Sequence, residues 1–219
     1  MKKLIIFDLD GTILNTLPTI AYYGNLALRE NGFDTIEEEL YKSFLGYGRA
    51  VLIHRMLKYN GIDNNENYEN VGRVYDDAYI KDAEYLAEPY EGICDMLDEL
   101  KDMGIAVAVL SNKPHDVTVP TIEGFFPGVF CRVWGKKDEY PAKPNPEAAL
   151  EICREIGVSP EDTVFIGDTE VDIQTGKNAG FCTIGVTWGF REREEIEKIG
   201  ANYIVCTPSE IPGIIKVNR

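Results

Sequence analysis

The chain has 219 residues, of which 44% are hydrophobic and 27% are charged, values typical of a globular protein. Its formal net charge of −15 argues against a nucleic-acid backbone or an anionic membrane surface as the main partner. A small anionic ligand stays possible, because a metal ion or a few local cations can override the global field. The five cysteines include no C-x-x-C pair, which favours buried free thiols over disulfides or zinc ligands. With no signal peptide and no membrane-length apolar run, we expect a cytoplasmic protein.

Short apolar runs in the sequence predict β-strands. They occupy residues 3–7, 105–110, 129–134, 163–166, 182–186 and 203–206. Runs of this length that are apolar on both faces are typical of strands buried in a parallel sheet. Between them, YEGICDMLDELKDMG and NPEAALEICREIG predict amphipathic helices that end at glycines, and SPED at 159–162 is typical of a helix start. The alternation indicates an α/β fold with a Rossmann-like parallel sheet.

Residues 15–83 break this alternation. The segments TIAYYGNLALRENG, TIEEELYKSFLG, GRAVLIHRMLKYNG and NYENVGRVYDDAYIKDAEYL all predict helices, and no segment there predicts a strand. We therefore expect a helical-bundle cap at 15–83, inserted after the first strand of a catalytic core formed by 1–14 and 84–219. The two crossings, near residues 14–18 and 82–89, are predicted to be hinges.

Polar residues follow the predicted strands at the edge where open parallel sheets bind their ligands. They are Asp8 and Asp10 after the first strand, Ser111 and Asn112 after the second, Asp168 and Asp172 in GDTEVD, and Lys143 in AKPNPE. Carboxylates suit Mg²⁺, a hard cation that bridges to substrate phosphate, whereas a hydroxyl and an ammonium group bind phosphate oxygens. The two aspartates of the first strand can divide the work: one attacks phosphorus and the other transfers a proton.

The order DLDGT, Ser111, Lys143 and GDTEVD resembles the motifs of the haloacid dehalogenase-like superfamily of phosphohydrolases. The resemblance covers nearly the whole chain, with the helical insert as the small cap of that family. It implies a phosphoric monoester hydrolase that uses Mg²⁺ and an aspartyl-phosphate intermediate on a small phosphorylated metabolite. An acid/base aspartate at position 10 favours phosphate-ester chemistry over dehalogenation.

The resemblance also implies roles for individual residues. Asp8 would be the nucleophile, and Asp10 the general acid/base whose backbone carbonyl also touches the metal. Lys143 would pair with the nucleophile and the phosphate. Asp8 and Asp168 would bind Mg²⁺, with support from Asp172. Thr12 would support Asp10 or the phosphate site, and Ser111 and the backbone of Asn112 would bind the phosphoryl group.

The segment FLGYGRAVLIHRML, which contains Gly48 and Arg49, is similar to the cap loop of phosphoglycolate phosphatases, and GVTWGF at 185–190 is similar to another part of them. This resemblance implies 2-phosphoglycolate as the substrate, since exposed amides and one guanidinium suit a carboxylate. Close relatives use similar loops for pyrophosphate, nucleotides or sugar phosphates. A salt bridge on the surface is an equally open interpretation of Arg49.

Other functions stay open on the sequence alone. A phosphomutase of the same fold would need a bisphosphate activator, and a pyrophosphatase or nucleotidase would share the motifs. A phospho-accepting signalling module is disfavoured because its acceptor lies on an interior strand of a shorter domain. A catalytically silent binding protein would not need the whole acidic set. We expect a monomer or homodimer without nucleic-acid or membrane partners, and we expect REREEIEK at 191–198 to be a solvated helix face.

Overall fold

The computed structural model describes residues 2–217, and a parallel sheet with helices on both faces forms its centre. The strands are β1 (Leu4–Phe7), β2 (Leu14–Asn15), β3 (Glu88–Pro89), β4 (Ala106–Pro114), β5 (Arg132–Lys136), β6 (Thr163–Gly167), β7 (Cys182–Val186) and β8 (Tyr203–Val205). Among the described residues, six of these strands form one sheet in the order β5-β4-β1-β6-β7-β8, with every neighbouring pair parallel. The predicted α/β, Rossmann-like class is confirmed.

The helices supply the outer layers and the insertion. They are α1 (Leu17–Glu30), α2 (Glu38–Tyr41), α3 (Arg49–Tyr59), α4 (Asn65–Tyr79), α5 (Ile93–Asp102), α6 (His115–Phe125), α7 (Glu147–Ile156), α8 (Glu170–Asn178), α9 (Arg193–Ile199) and α10 (Glu210–Val217). The predicted amphipathic helices are α5 and α7, and the apolar positions of α5 are buried as expected. In α7 the helix ends at Gly157, whose φ of 77° is the left-handed conformation that glycine adopts without strain.

The first strand explains the position of the site. Ile5 and Phe7 belong to an apolar cluster with residues of α5 and α10, whereas Leu4 and Ile6 belong to a cluster with residues of α7. Successive side chains of a strand point to opposite faces, so the apolar run of β1 is what a strand covered on both sides requires. Because β1 lies between β4 and β6, the residue after it stands at the middle of the carboxyl edge.

The end of one strand and the length of one helix differ from the sequence predictions. The strand expected to stop at residue 110 continues as β4 to Pro114, with an irregular register opposite β5 after Leu110. The helix predicted to start at SPED does begin there, with Ser159 as N-cap and Pro160 as its first residue, but it is short. Pro160–Asp162 form a single turn of 3-10 helix, because β6 begins at the next residue and leaves no room for a longer helix.

The region predicted as a cap is helical. Helices α1, α3 and α4 and the short α2, which continues into a 3-10 turn at Lys42–Phe44, share an apolar cluster whose largest fully buried side chain is Tyr41. Asn15 is the exception to the expected absence of strands, since it ends β2. This strand pairs antiparallel with β3 at the two predicted crossings.

It stays a prediction that the chain divides into a core at 1–14 and 84–219 and a cap at 15–83. Residues 1 and 218–219 of the predicted core lie outside the described part of the chain. We use "cap region" below for residues 15–83. Tyr90 N–H also donates to the Ile13 carbonyl beside the β2–β3 pair, so the two crossings are joined by backbone hydrogen bonds.

The cysteines and the hydropathy of the helices bear on the cellular environment predicted for the chain. All five cysteines are free, but Cys94, Cys131 and Cys206 are exposed, so the prediction of buried thiols is wrong for these three. Cys94, for example, follows Ile93 on α5 and faces away from the sheet. Within residues 2–217, no helix combines the length and the hydropathy needed to cross a membrane.

Candidate active site

Four of the predicted residues meet at the carboxyl edge of β1 and β6. The Lys143 ammonium lies 2.8 Å from Asp8 Oδ1 and 2.7 Å from Asp172 Oδ1. One carboxylate oxygen from each of Asp8, Asp168 and Asp172 lies within 4.8 Å of the others, and all three side chains are buried. The structure therefore places one buried cation within a group of three buried carboxylates.

The two aspartates of GDTEVD are held by hydrogen bonds, those of Asp172 from within the motif and those of Asp168 from distant parts of the chain. Thr169 donates to Asp172 Oδ2 from its backbone N–H at 3.0 Å and from its hydroxyl at 2.6 Å, and these bonds lie at the start of α8, where Thr169 is the N-cap residue. Asp168 Oδ1 accepts from the Thr12 hydroxyl at 2.8 Å, and Oδ2 accepts from the Phe190 N–H at 2.8 Å. Thr12 therefore supports Asp168 rather than Asp10. A Cβ at Gly167 would collide with Asp172, so the tight exit from β6 requires glycine.

Burial shifts the titration of this group. Desolvation raises the pKa of Asp8 well above its usual value and the nearby charge of Asp172 raises it further, against the opposing effect of Lys143. Desolvation, with a contribution from Asp172, raises the pKa of Asp168 to about 7. Burial alone would lower the pKa of Lys143, but the carboxylates of Asp172 and Asp8 outweigh it and raise that pKa. The three carboxylates are thus short of positive charge, and a divalent cation fits both their chemistry and their spacing.

The end of β4 brings the predicted phosphate-site residues beside this group. Ser111 is buried, and its Oγ accepts a hydrogen bond from the Lys113 N–H at 3.2 Å. The Asn112 side chain accepts from the Lys143 N–H at 2.8 Å and donates to the carbonyls of Lys143 and Gly46, both at 3.0 Å. The Asn112 side chain therefore ties the lysine loop and the cap region to β4, in addition to the backbone role predicted for this residue.

A cavity of about 240 Å³ lies between the strand ends and the cap region. Asp8, Asp10 and Ser111 line it from the strand ends, and Tyr75 and Tyr79 line it from α4. The lining also includes Gly48, Arg49, Asp76, Asn112, Lys113 and Phe190. The cavity therefore brings together the predicted nucleophile, the predicted acid/base and the predicted cap-loop residues.

The cap loop approaches β4 closely at Gly48. Its φ of 86° and ψ of 177° are a conformation essentially restricted to glycine, and an added Cβ would lie 3.0 Å from the Asn112 carbonyl oxygen. The next residue, Arg49, begins α3 and donates to both carboxylate oxygens of Asp76, at 2.9 and 2.7 Å, and to the Tyr68 hydroxyl at 2.9 Å. Arg49 thus lines the cavity while it forms a salt bridge inside the cap region.

Comparisons with known proteins identify the family. Residues 5–186 match the haloacid dehalogenase-like hydrolase family. The chain belongs to that family.

Relatives of known name extend this result over the whole chain. The phosphoglycolate phosphatase of Vibrio parahaemolyticus is 31% identical, over 99% of this chain and 97% of its own length. That of Haemophilus influenzae is 30% identical, over 92% of this chain and 93% of its own length. Among solved structures, a Lactobacillus delbrueckii subsp. bulgaricus protein described as a candidate phosphoglycolate phosphatase has a TM-score of 0.94 at 32% identity, over 98% and 99% of the two chains.

These findings confirm the predicted resemblance to haloacid dehalogenase-like hydrolases and the predicted class of enzyme, a phosphoric monoester hydrolase. The mutase, pyrophosphatase, nucleotidase and signalling alternatives are not favoured, because these relatives carry the name of a phosphatase. The roles of the individual site residues stay predictions.

Sequence reasoning missed Lys113. Its Nζ lies 3.1 Å from Asp10 Oδ1 and 2.5 Å from the Tyr79 hydroxyl, and the side chain is 3% exposed. The strand was expected to stop before Ser111, which placed Lys113 in a loop where a lysine is usually solvated. A lysine two residues after Ser111 was the available signal, but its significance depends on the longer β4.

The environment of Arg191 was also predicted wrongly. The prediction of a solvated helix face from residue 191 is wrong at this position, because α9 begins only at Arg193 and Arg191 is buried. Its guanidinium donates to Glu170 at 2.8 and 3.2 Å and to the carbonyls of Lys42 and Leu45 at 2.7 and 3.0 Å. Arg191 therefore joins the loop after β7 to the cap region beside the site.

Proposed function

We propose that this protein hydrolyses 2-phosphoglycolate, or a closely similar small phosphate monoester, in a Mg²⁺-dependent reaction with an aspartyl-phosphate intermediate on Asp8. The observation that carries the proposal is that two aspartates of one strand end face one cavity, each beside its own buried lysine: Asp8 with Lys143, and Asp10 with Lys113. One carboxylate is thus suited to attack and the other to proton transfer.

The first half-reaction transfers the phosphoryl group to the protein. An Asp8 carboxylate oxygen forms a bond to phosphorus while the bond from phosphorus to the ester oxygen breaks, and a proton from the Asp10 carboxyl group passes to that oxygen. Lys143 and the Ser111 hydroxyl donate to the phosphoryl oxygens as charge moves onto them. The alcohol then leaves with the proton from Asp10.

The second half-reaction restores Asp8. A water molecule gives a proton to Asp10 and bonds to phosphorus as the bond between phosphorus and Asp8 breaks, which releases inorganic phosphate. Asp8, Asp168, Asp172 and the Asp10 backbone carbonyl would hold Mg²⁺, which neutralises phosphoryl charge when it is bound.

The size and lining of the cavity support a small, anionic substrate. Its volume of about 240 Å³ is below the usual range of roughly 300–1,000 Å³ for sites that take drug-sized ligands. Two cationic side chains of the lining, Arg49 and Lys113, suit a leaving group that carries a carboxylate. The two curated relatives described above are named phosphoglycolate phosphatases. We also propose a cytoplasmic location, which the five free thiols fit.

The test is phosphate release from 2-phosphoglycolate beside a panel of a sugar phosphate, a nucleotide and pyrophosphate, with Mg²⁺ and with a chelator. We expect 2-phosphoglycolate to have the highest kcat/KM, and we expect the chelator to stop the reaction. The variant Asp8→Asn should lose turnover, whereas Asp95→Asn, an exposed carboxylate on α5, should keep it. A higher kcat/KM for another ester would overturn the substrate, and wild-type turnover in Asp8→Asn would overturn the mechanism.

A further inference from the structure

We propose that Lys113 is the residue that selects an anionic leaving group, by binding its carboxylate beside Asp10. This inference rests on the proposed function and adds to it a specificity-determining residue. Lys113 lines the cavity at the end of β4, next to Ser111 and Asn112. It stands between the strand end and the cap region, where the part of a substrate beyond the phosphoryl group would lie.

The contacts of Lys113 leave it able to bind a further anion. An ammonium group has three N–H donors. Within residues 2–217, the partners of Nζ are Asp10 Oδ1 at 3.1 Å and the Tyr79 hydroxyl at 2.5 Å, with the Tyr79 ring centroid 4.8 Å away. One donor is therefore left for a ligand, and since the side chain is 3% exposed, a contact there forms away from bulk water.

Arg49, for which the sequence left a substrate contact and a salt bridge equally open, forms a salt bridge with Asp76. Its Nε and one N–H of Nη2 donate to the two carboxylate oxygens of Asp76, and one N–H of Nη1 donates to the Tyr68 hydroxyl. In the described part of the chain, two of the five N–H donors stay free, but the charge of the guanidinium is paired with Asp76. A two-point pair of this kind is among the strongest side-chain interactions. A substrate carboxylate would have to compete with Asp76 for Arg49, whereas Lys113 meets its carboxylate neighbour at a single oxygen.

The spacing between Lys113 and Asp10 suits a carboxylate one methylene from the ester oxygen. In such a leaving group the nearer carboxylate oxygen lies within about 3 Å of the ester oxygen, from ordinary bond lengths. Asp10, which passes its proton to that ester oxygen, has its own Oδ1 3.1 Å from Lys113 Nζ. A leaving-group carboxylate would therefore reach Lys113 without moving the ester oxygen away from Asp10.

The cavity also needs a cation for such a substrate. Asp8 and Asp10 place carboxylates on its walls, and these would repel an anionic leaving group. Lys143 is already bound between Asp8 and Asp172. Lys113 is the lining cation left to offset that repulsion, so its removal should weaken anionic substrates more than neutral ones.

The experiment compares kcat/KM for 2-phosphoglycolate with that for ethyl phosphate, whose leaving group has the same number of carbons and no charge. The enzymes are wild type, Lys113→Met, Arg49→Met and Lys101→Met, the last an exposed lysine on α5. We expect wild type and Lys101→Met to prefer 2-phosphoglycolate equally. Lys113→Met should reduce this preference at least tenfold, whereas Arg49→Met should change it less.

The ratio of kcat/KM for 2-phosphoglycolate to kcat/KM for ethyl phosphate distinguishes a failure of this inference from a failure of the proposed function. If Lys113 acts only by contacting Asp10, Lys113→Met should lower kcat/KM for both esters by the same factor. That result would overturn the inference and leave the proposed function standing. A larger fall of the ratio in Arg49→Met would also overturn it. Failure of wild type to release phosphate from either ester would overturn the proposed function itself. If circular dichroism shows Lys113→Met to be unfolded, Lys113→Gln provides the same comparison.

Discussion

Lys143 and Asp8 form a buried ion pair in which Nζ lies 2.8 Å from Oδ1, with 2% and 9% of the two side chains exposed. The same Nζ lies 2.7 Å from Asp172, whose side chain is fully buried. One cation therefore offsets two carboxylates away from water. This is an arrangement in which the loss of the cation leaves uncompensated buried charge.

Replacement of Lys143 should affect both stability and activity. In Lys143→Met, Asp8 and Asp172 lose their shared counter-ion, and the free energy of unfolding should fall by roughly 3–5 kcal/mol in the metal-free protein. Turnover should fall by a factor of about 10² or more, because a donor to the transferring phosphoryl group is lost. Urea unfolding and phosphate release measure the two effects, with Lys101→Met as the control. Equal behaviour of the two variants would contradict this account of the ion pair.

The pH dependence of stability should report the buried carboxyl group of Asp168. Its pKa is raised by burial from 3.8 to about 7, so the folded, metal-free protein keeps a proton that the unfolded chain loses. This stabilisation is complete below pH 3.8 and is lost as the pH rises to about 7. The free energy of unfolding of wild type should therefore fall relative to Asp168→Asn across that window, by at most about 1.4 kcal/mol per pH unit.

Urea unfolding in chelator at several pH values between 4 and 8 measures this difference. The Asn side chain cannot titrate, so any constant cost of the substitution cancels in the slope. Parallel stability curves for wild type and Asp168→Asn would show that the carboxyl group of Asp168 titrates normally.

Gly48 should not tolerate a side chain. Gly48→Ala places an L-residue at a φ of 86° and a ψ of 177°, which costs about 1–3 kcal/mol, and its Cβ would press on the Asn112 carbonyl. We expect lower stability together with a raised KM, because the cap loop must move away from β4. Gly61→Ala is the control for a side chain at a positive φ, 70°, with no atom within 4 Å of the added Cβ. A KM that rises equally in both variants would contradict the proposed contact with β4.

Arg191 and Arg193 provide a matched pair of arginines two residues apart. Arg191→Met removes donors from Glu170 and from the carbonyls of Lys42 and Leu45, and should lower the free energy of unfolding by roughly 1.5–3 kcal/mol. Arg193→Met removes an exposed pair with Glu197 and should change stability little. The melting temperatures of the two variants, measured by thermal unfolding, test this expected difference in stability. Similar melting temperatures would mean that the buried arginine adds nothing to the attachment of the cap region.

The sequence predicts those parts of the fold and site that depend on local pattern. The strand β1 and the capped start of α8 are specified by neighbouring residues, so Asp8, Asp168 and Asp172 were expected where they lie. Lys113 and Arg191 were not, because their burial depends on contacts with residues far away in the chain. Tyr79 lies 34 positions from Lys113, and Leu45 lies 146 positions from Arg191. No local pattern carries that information.

Asp8 is the residue proposed to take up the phosphoryl group. The most direct measurement is acid quenching of wild-type protein during turnover of 2-phosphoglycolate, followed by digestion and mass spectrometry. We expect the added mass of one phosphoryl group on the peptide that contains Asp8, and no such peptide from Asp8→Asn. A phosphoryl group on another residue, or phosphate release by Asp8→Asn at the wild-type rate, would contradict it.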